Sequence, residues 1–331
     1  MKKIYRSIFI IFILILGLAL AIFSYFLFCA PKKAENIKWG VNFSQTQARD
    51  LGLDWKQAYL SILDDLKAKE LKIATQWDIL EPERDKYSFS DLDWQIKEAE
   101  KRNAKVILAI GMKTPRWPEC HIPLWAENLS DESRQDKVLS LLKEIISRYK
   151  NENSIWAWQV ENEPFFDFGE CPETNEDFVK QEVQLVKSMD SRPVIISESG
   201  ENSLWLKAGK LADIVGVTLY KRVYSKEVNM YLTLPYPPMF YFSKAKLVKK
   251  LYGKDVMCVE LQAEPWTPHL IFNDSLDEQK KTMDLNQFKK NIEFAKKTGF
   301  DSFYFWGAEW WYFMKDKQNQ PEIWNEAKLL F

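Results

Sequence analysis

Residues 155–164 read Ile155-Trp156-Ala157-Trp158-Gln159-Val160-Glu161-Asn162-Glu163-Pro164. Ile155, Trp156, Trp158 and Val160 are β-branched or aromatic, the composition of a buried strand. Glu161, Asn162 and Glu163 follow where that strand must stop, because Pro164 has no N–H to give to a ladder. Carboxylates and an amide on the lip of an apolar strand are costly to bury, so the strand end is expected to open into a wet cleft. The same triplet would also serve merely to end a strand, and the chain on either side decides between the two readings.

Outward from that stretch, short apolar runs alternate with helical stripes. Residues 37–43, 71–76, 105–110, 155–160, 193–197, 213–220, 255–261 and 302–306 read as strands. They are continuous apolar runs rather than clean alternations, as parallel strands covered on both faces require. Between them, Tyr59, Ile62, Leu63 and Leu66 form an i, i+3, i+4, i+7 stripe, and Val138, Leu141, Leu142, Ile145, Ile146 and Tyr149 form another. Helices are expected from Asp54 and Asp91, over 131–149, 175–189, near 203–210, over 244–251 and 277–298, and over 321–330. Eight strand-then-helix units make an α/β chain with the count of a closed (β/α)8 TIM barrel. Its 331 residues, 46% of them apolar, exceed the roughly 250 residues such a barrel needs. A doubly wound open sheet would compete, but its Gly-rich first turn is missing.

Residues 8–28 contain no charged side chain, a run long enough to cross a bilayer as a helix. Lys2, Lys3 and Arg6 precede it, which favours a cytoplasmic N-terminus, while Lys32 and Lys33 weaken the asymmetry. A cleaved signal has a shorter apolar core, so the expectation is an uncleaved transmembrane anchor over 1–29, a linker over 30–36 and an extracytoplasmic barrel over 37–331. With 46 basic and 47 acidic residues spread along the chain, there is no electrostatic footprint for nucleic acid. Cys29, Cys120, Cys171 and Cys258 include no C-x-x-C pair, there are two histidines, and no HExxH, phosphate loop or dinucleotide fingerprint occurs. No cofactor or metal is expected.

A parallel barrel carries its site at the C-terminal strand ends. There the fourth strand ends in Asn162 and Glu163, the sixth in Tyr220, the seventh in Glu260 and the eighth in Trp306. Two glutamates from different strands are the pair that glycosidic cleavage needs. Glu161 shares the face of Glu163 by strand alternation but lies deeper. Glu264 reads as a loop contact or substrate ligand, and His121 and His269 as loop residues. Trp117, Trp125, Phe165, Phe166, Phe168, Trp266, Trp310 and Trp311 fall on top loops, where aromatics make stacking walls for sugars. Cys120 and Cys171, in neighbouring loops of one face, are expected to form a disulfide, with Cys258 a buried thiol.

Asn162-Glu163-Pro164 with Glu260 resembles the clan A retaining glycoside hydrolases, and Trp77-Asp78-Ile79-Leu80-Glu81-Pro82 followed by 87–93 resembles families 5, 39 and 42. That resemblance implies Glu163 as acid/base, Glu260 as nucleophile, Asn162 on a sugar hydroxyl, Tyr220 orienting the nucleophile and Trp306 under the reacting sugar. Trp77, Trp117, Glu264 and Trp266 join them as candidate substrate-binding residues. Two positions depart from the pattern: Lys72 stands where many members have Arg, and Thr218 where many have His. A lysine cannot reproduce arginine's fork. Two rivals therefore stay open, a catalytically silent glycan-binding barrel and a transglycosylase using the same covalent intermediate.

Overall fold

The computed structural model describes residues 2–28, 31 and 33–331; Met1, Cys29, Ala30 and Lys32 lie outside the described residues, and with them the expected boundary between anchor and linker. Its strands are β1 (Lys38–Phe43), β2 (Glu70–Ala74), β3 (Lys105–Ile110), β4 (Ile155–Val160), β5 (Val194–Glu198), β6 (Ile214–Leu219), β7 (Arg222–Ser225), β8 (Met230–Thr233), β9 (Asp255–Gln262) and β10 (Ser302–Trp306). Eight of them close into a parallel barrel in the order β1-β10-β9-β6-β5-β4-β3-β2, while β7 and β8 form a separate antiparallel hairpin.

The helices are α1 (Lys2–Phe28), α2 (Gln45–Asp50), α3 (Trp55–Asp64), α4 (Trp77–Leu80), α5 (Ser90–Lys101), α6 (Asp131–Tyr149), α7 (Glu176–Met189), α8 (Leu206–Leu211), α9 (Pro238–Tyr252), α10 (Leu276–Lys280), α11 (Leu285–Lys296), α12 (Ala308–Asp316) and α13 (Glu322–Ala327). Side-chain caps fix several starts: Asp54 accepts from the N–H groups of Lys56 and Gln57, Ser130 from that of Ser133, and Asn175 from that of Phe178. The stripes read from the sequence face inward, with Tyr59, Ile62, Val138, Leu141, Leu142, Ile145 and Ile146 fully buried between helices and barrel. Ile107, Ala157, Ile195, Met257, Val259 and Tyr304 form a second packed cluster, with alternate residues of the same strands in the outer one. Each buried aliphatic chain contributes about 1.5–3 kcal/mol.

Three expectations need correction. The long helix over 277–298 is two helices, because Ser275 caps α10 and Asp284, accepting from the Gln287 N–H, starts α11 afresh. The loop after the eighth strand is α12, and its Trp310 and Trp311 are 1% and 0% exposed, so they pack the core rather than wall a cleft. Helix α9 begins at Pro238, six residues before the expected start, since proline suits the first helical turn. Apart from these, no helix among the described residues is long and apolar enough to cross a membrane. The expected anchor over residues 8–28 therefore has no support from the structure.

Candidate active site

After β4 the backbone leaves extended geometry, Glu161 and Glu163 taking φ of +57° and +44°. Non-glycine residues enter that region only where the surroundings hold them, and such strain collects at functional sites. The Glu161 N–H donates to the Ile110 carbonyl at 2.9 Å, the Asn162 N–H to the Lys113 carbonyl at 2.6 Å, and the Glu163 N–H to Ser197 Oγ at 2.9 Å. The alternation expected from the sequence is thereby broken. Glu161 turns back to accept from the N–H groups of Met112 and Lys113, at 2.8 and 2.7 Å. Glu163 instead meets β6, where Thr218 Oγ1 donates to its Oε1 at 2.9 Å.

Glu260 lies within β9 and is 4% exposed. Lys72 reaches it from β2, three places away around the barrel, with Nζ donating to Oε1 at 2.8 Å. The Tyr220 hydroxyl donates to the other oxygen, Oε2, at 3.0 Å. A buried ion pair survives desolvation only when its remaining lone pairs are also satisfied, and the tyrosine does this. Thus the two residues that depart from the clan pattern, Lys72 and Thr218, each hold one of the two glutamates.

Burial pushes the Glu163 carboxyl up to about 8, and the charges of Glu260 and Glu119 push the same way. Burial, with Glu260 next, also raises Tyr220 well above its ordinary range, so its hydroxyl is a donor at neutral pH. The two glutamates therefore sit in opposite surroundings, one against a hydroxyl donor and other carboxyls, the other against an ammonium.

Three residues with no signal in the sequence complete the mouth. Glu119 is 6% exposed, and Asn162 Nδ2 donates to its Oε2 at 2.9 Å. Burial and the Glu260 charge push it up to about 8. Lys113 Nζ donates to the carbonyls of Glu163 and Phe166 at 3.1 and 2.7 Å, pinning the segment that follows Glu163. Arg116 forms ion pairs with Glu264 and Glu309 and lies 3.9 Å over the Trp306 ring. Burial, with Glu264 beside it, pushes Glu309 up to about 7 against the pull of Arg116. Arg116 and Glu119 have φ of +94° and +75°, before and after a cis Trp117–Pro118 bond. No glycine marks those turns, so nothing in the residue pattern announces them.

The expected substrate-binding residues divide. Trp266 is half-buried, edge-on to Tyr220 with centroids 5.0 Å apart, and 5.8 Å from Phe168. Trp117, 43% exposed, meets Phe168 at 6.1 Å, so these rings run outward from Tyr220 to the surface. Trp306 is at the mouth, one ring face covered by Arg116. Two positions are engaged with the protein itself. Trp77 is fully buried, its indole N–H given to Glu81 at 2.8 Å, because α4 turns it under the loop. Glu264 is 5% exposed with its carboxylate committed to Arg116. Cys120 and Cys171 form a disulfide with Cα atoms 5.2 Å apart, and Cys258 is a buried thiol. Among the described residues no group of three or more His, Cys, Asp and Glu is placed to hold a metal ion.

The glycoside hydrolase family 42 model, described as β-galactosidase, matches residues 55–135, a segment that includes Lys72, Lys113 and Glu119. Xylanase 10B from Thermotoga petrophila RKU-1, in complex with xylobiose, superposes with a TM-score of 0.56 at 16% identity over 82% of each chain. GH5_18 from Streptomyces cattleya, in complex with GlcNAc, gives 0.57 at 11% identity over 82% of this chain and 71% of that one. The chain resembles the clan A glycoside hydrolases. A β-galactosidase from Rahnella sp. R3 shares that barrel, with a TM-score of 0.56 at 12% identity over 84% of this chain and 51% of its own. At these identities the solved structures show the (β/α)8 barrel fold alone, and the matched segment adds a likeness to glycoside hydrolases.

Proposed function

We propose that the protein is a retaining glycoside hydrolase that cleaves β-O-glycosidic bonds of an extracytoplasmic oligo- or polysaccharide. The observation that carries this reading is the pair itself: Glu260 held by Lys72 and Tyr220, and Glu163 raised to about 8 beside Thr218. Glu260 attacks the anomeric carbon while Glu163 gives its proton to the departing oxygen, leaving a glycosyl ester on Glu260. Glu163, now a carboxylate, takes a proton from water, and the hydroxide formed displaces Glu260. Lys72 and Tyr220 stabilise the carboxylate before attack and again as it leaves. The rings from Trp266 to Trp117 suit stacking of sugar rings next to the acid/base.

A panel of aryl β-glycosides tests this. Hydrolysis is expected for at least one sugar, and Glu163→Ala should retain turnover only with good leaving groups and regain it with azide as a β-glycosyl azide. Binding across the panel without turnover would identify a silent glycan-binding barrel; elongated products would identify a transglycosylase.

For location, we propose that residues 8–28 anchor the chain in a membrane with the barrel outside the cytoplasm. Support comes from the sequence, where residues 8–28 carry no charged side chain. Alkaline carbonate extraction is expected to leave the full chain, but not one lacking residues 1–29, in the membrane fraction.

A further inference from the structure

Glu119 is a carboxyl at the mouth to which neither half of the double displacement gives a role. The loop around it is nevertheless built to hold it. Its N–H donates to the Arg116 carbonyl at 2.7 Å, and its carbonyl accepts from the Thr114 N–H at 2.9 Å. The next residue, Cys120, is disulfide-bonded to Cys171, and the Glu170 N–H donates to the Pro118 carbonyl at 2.9 Å. A Cβ on Gly169 would come within 2.7 Å of the Glu119 Cβ, so only glycine lets the second loop close this tightly.

The side chain so fixed is 6% exposed and has one oxygen engaged, Oε2 with Asn162. Among the described residues Oε1 has no hydrogen bond. Glu260, Lys113 and Lys72 act on the carboxyl electrostatically, and it acts in turn on Glu163, which places it near both glutamates. A carboxyl oxygen with no protein donor, at the mouth of the site, is open to a partner supplied by a bound molecule. Loop rigidity of this kind is what holds a recognition group in place before substrate arrives.

We propose that Glu119 is a substrate-binding residue whose Oε1 hydrogen-bonds a hydroxyl of the sugar seated against Glu163 and Glu260, so that the site selects sugars bearing that hydroxyl. This rests on the glycosidase reading. A site that hydrogen-bonds a hydroxyl discriminates strongly against the analogue lacking it, because its own polar group is then left unpaired.

The test is a cycle between Glu119 variants and a monodeoxy series of whichever 4-nitrophenyl β-glycoside the wild type hydrolyses. Glu119→Gln and Glu119→Ala are expected to lower kcat/KM on the parent by something on the order of 10- to 100-fold. On one member of the series, and one only, that penalty should collapse to less than about threefold. Melting curves monitor folding, and should Glu119→Ala fail to fold, the near-isosteric Glu119→Gln carries the comparison. An equal penalty on every deoxy glycoside would mean that Glu119 only positions Asn162, and would overturn the assignment. A wild type that hydrolyses no glycoside would overturn the glycosidase reading, whereas an active wild type with uniform penalties overturns the role of Glu119 alone.

Discussion

At the scale of single residues, Lys72 decides how the nucleophile is held. It gives Glu260 one charge-assisted hydrogen bond from across the barrel, and Tyr220 gives the other. Lys72→Met would leave a buried carboxylate unpaired, a loss of about 3–5 kcal/mol. Catalytic efficiency on an aryl glycoside should then drop by roughly 100-fold or more in steady-state kinetics; activity close to that of the wild type would show that the pair is dispensable. Glu163 sets the pH limit. It must carry a proton to act as acid, and burial raises it to about 8, so catalytic efficiency should decline as pH rises through about 8. Glu119 titrates in the same range, so that limb belongs to the two carboxyls together. Glu163, Glu260, Asn162 and Tyr220 were legible because strand ends of a parallel barrel share one mouth. Glu119, Lys113 and Arg116 were not, since left-handed turns at Arg116 and Glu119 leave no glycine in the sequence to mark them.

At the scale of elements, two contacts tie the site to its scaffold. The Cys120–Cys171 bridge closes a separation of 51 residues, which in the chain-entropy model stabilises the fold by about 4 kcal/mol. Cys171→Ser should therefore lower Tm and, because Glu119 is the neighbour of Cys120, raise KM for the parent glycoside more than it lowers kcat. An unchanged KM would show that the loop keeps its place without the bridge. The second contact lies where the end of β4 meets α7. Glu182 on α7 is fully buried, and burial and the opposing Glu161 carboxyl drive it far above the usual carboxylate range. Folded Glu182 keeps a proton that the unfolded chain releases above about 4.5, so its contribution to stability is complete below that pH and is lost as pH rises. Glu182→Gln should flatten the fall of Tm between about pH 5 and 8 and melt above the wild type at the upper end of that range. A variant that tracks the wild-type slope would exclude this buried acid as a source. The outer helix α12 and the break between α10 and α11 were hidden in the sequence for a related reason: an aromatic-rich helix reads as a loop of ligands, and a capped break inside a continuous apolar period reads as one helix.

At the scale of the whole molecule, the barrel was legible because each of its eight strands is a short apolar run followed by a helical stripe. The hairpin of β7 and β8 was not, because Arg222–Ser225 and Met230–Thr233 pack on the rim rather than in the core and show no buried face. Direction along the barrel also bears on the proposed anchor. The Ala34 N–H donates to the Lys296 carbonyl and Lys33 pairs with Glu293, both near the end of α11 that leads into β10 from the barrel floor. If residues 8–28 lie in a bilayer, that floor faces lipid and the mouth faces away. Spin labels on the loops after β4 and β9 should then escape lipid-borne quenchers, and strong quenching would refute the orientation. The central claim, a double displacement on Glu260, is tested most directly by trapping the intermediate. A 2-fluoro glycoside of the sugar that the enzyme hydrolyses should add one fluoroglycosyl group, located by peptide mass spectrometry on Glu260 and absent from Glu260→Gln. A label on Glu264 or on Glu119, or an unmodified protein that still turns over the parent glycoside, would contradict it.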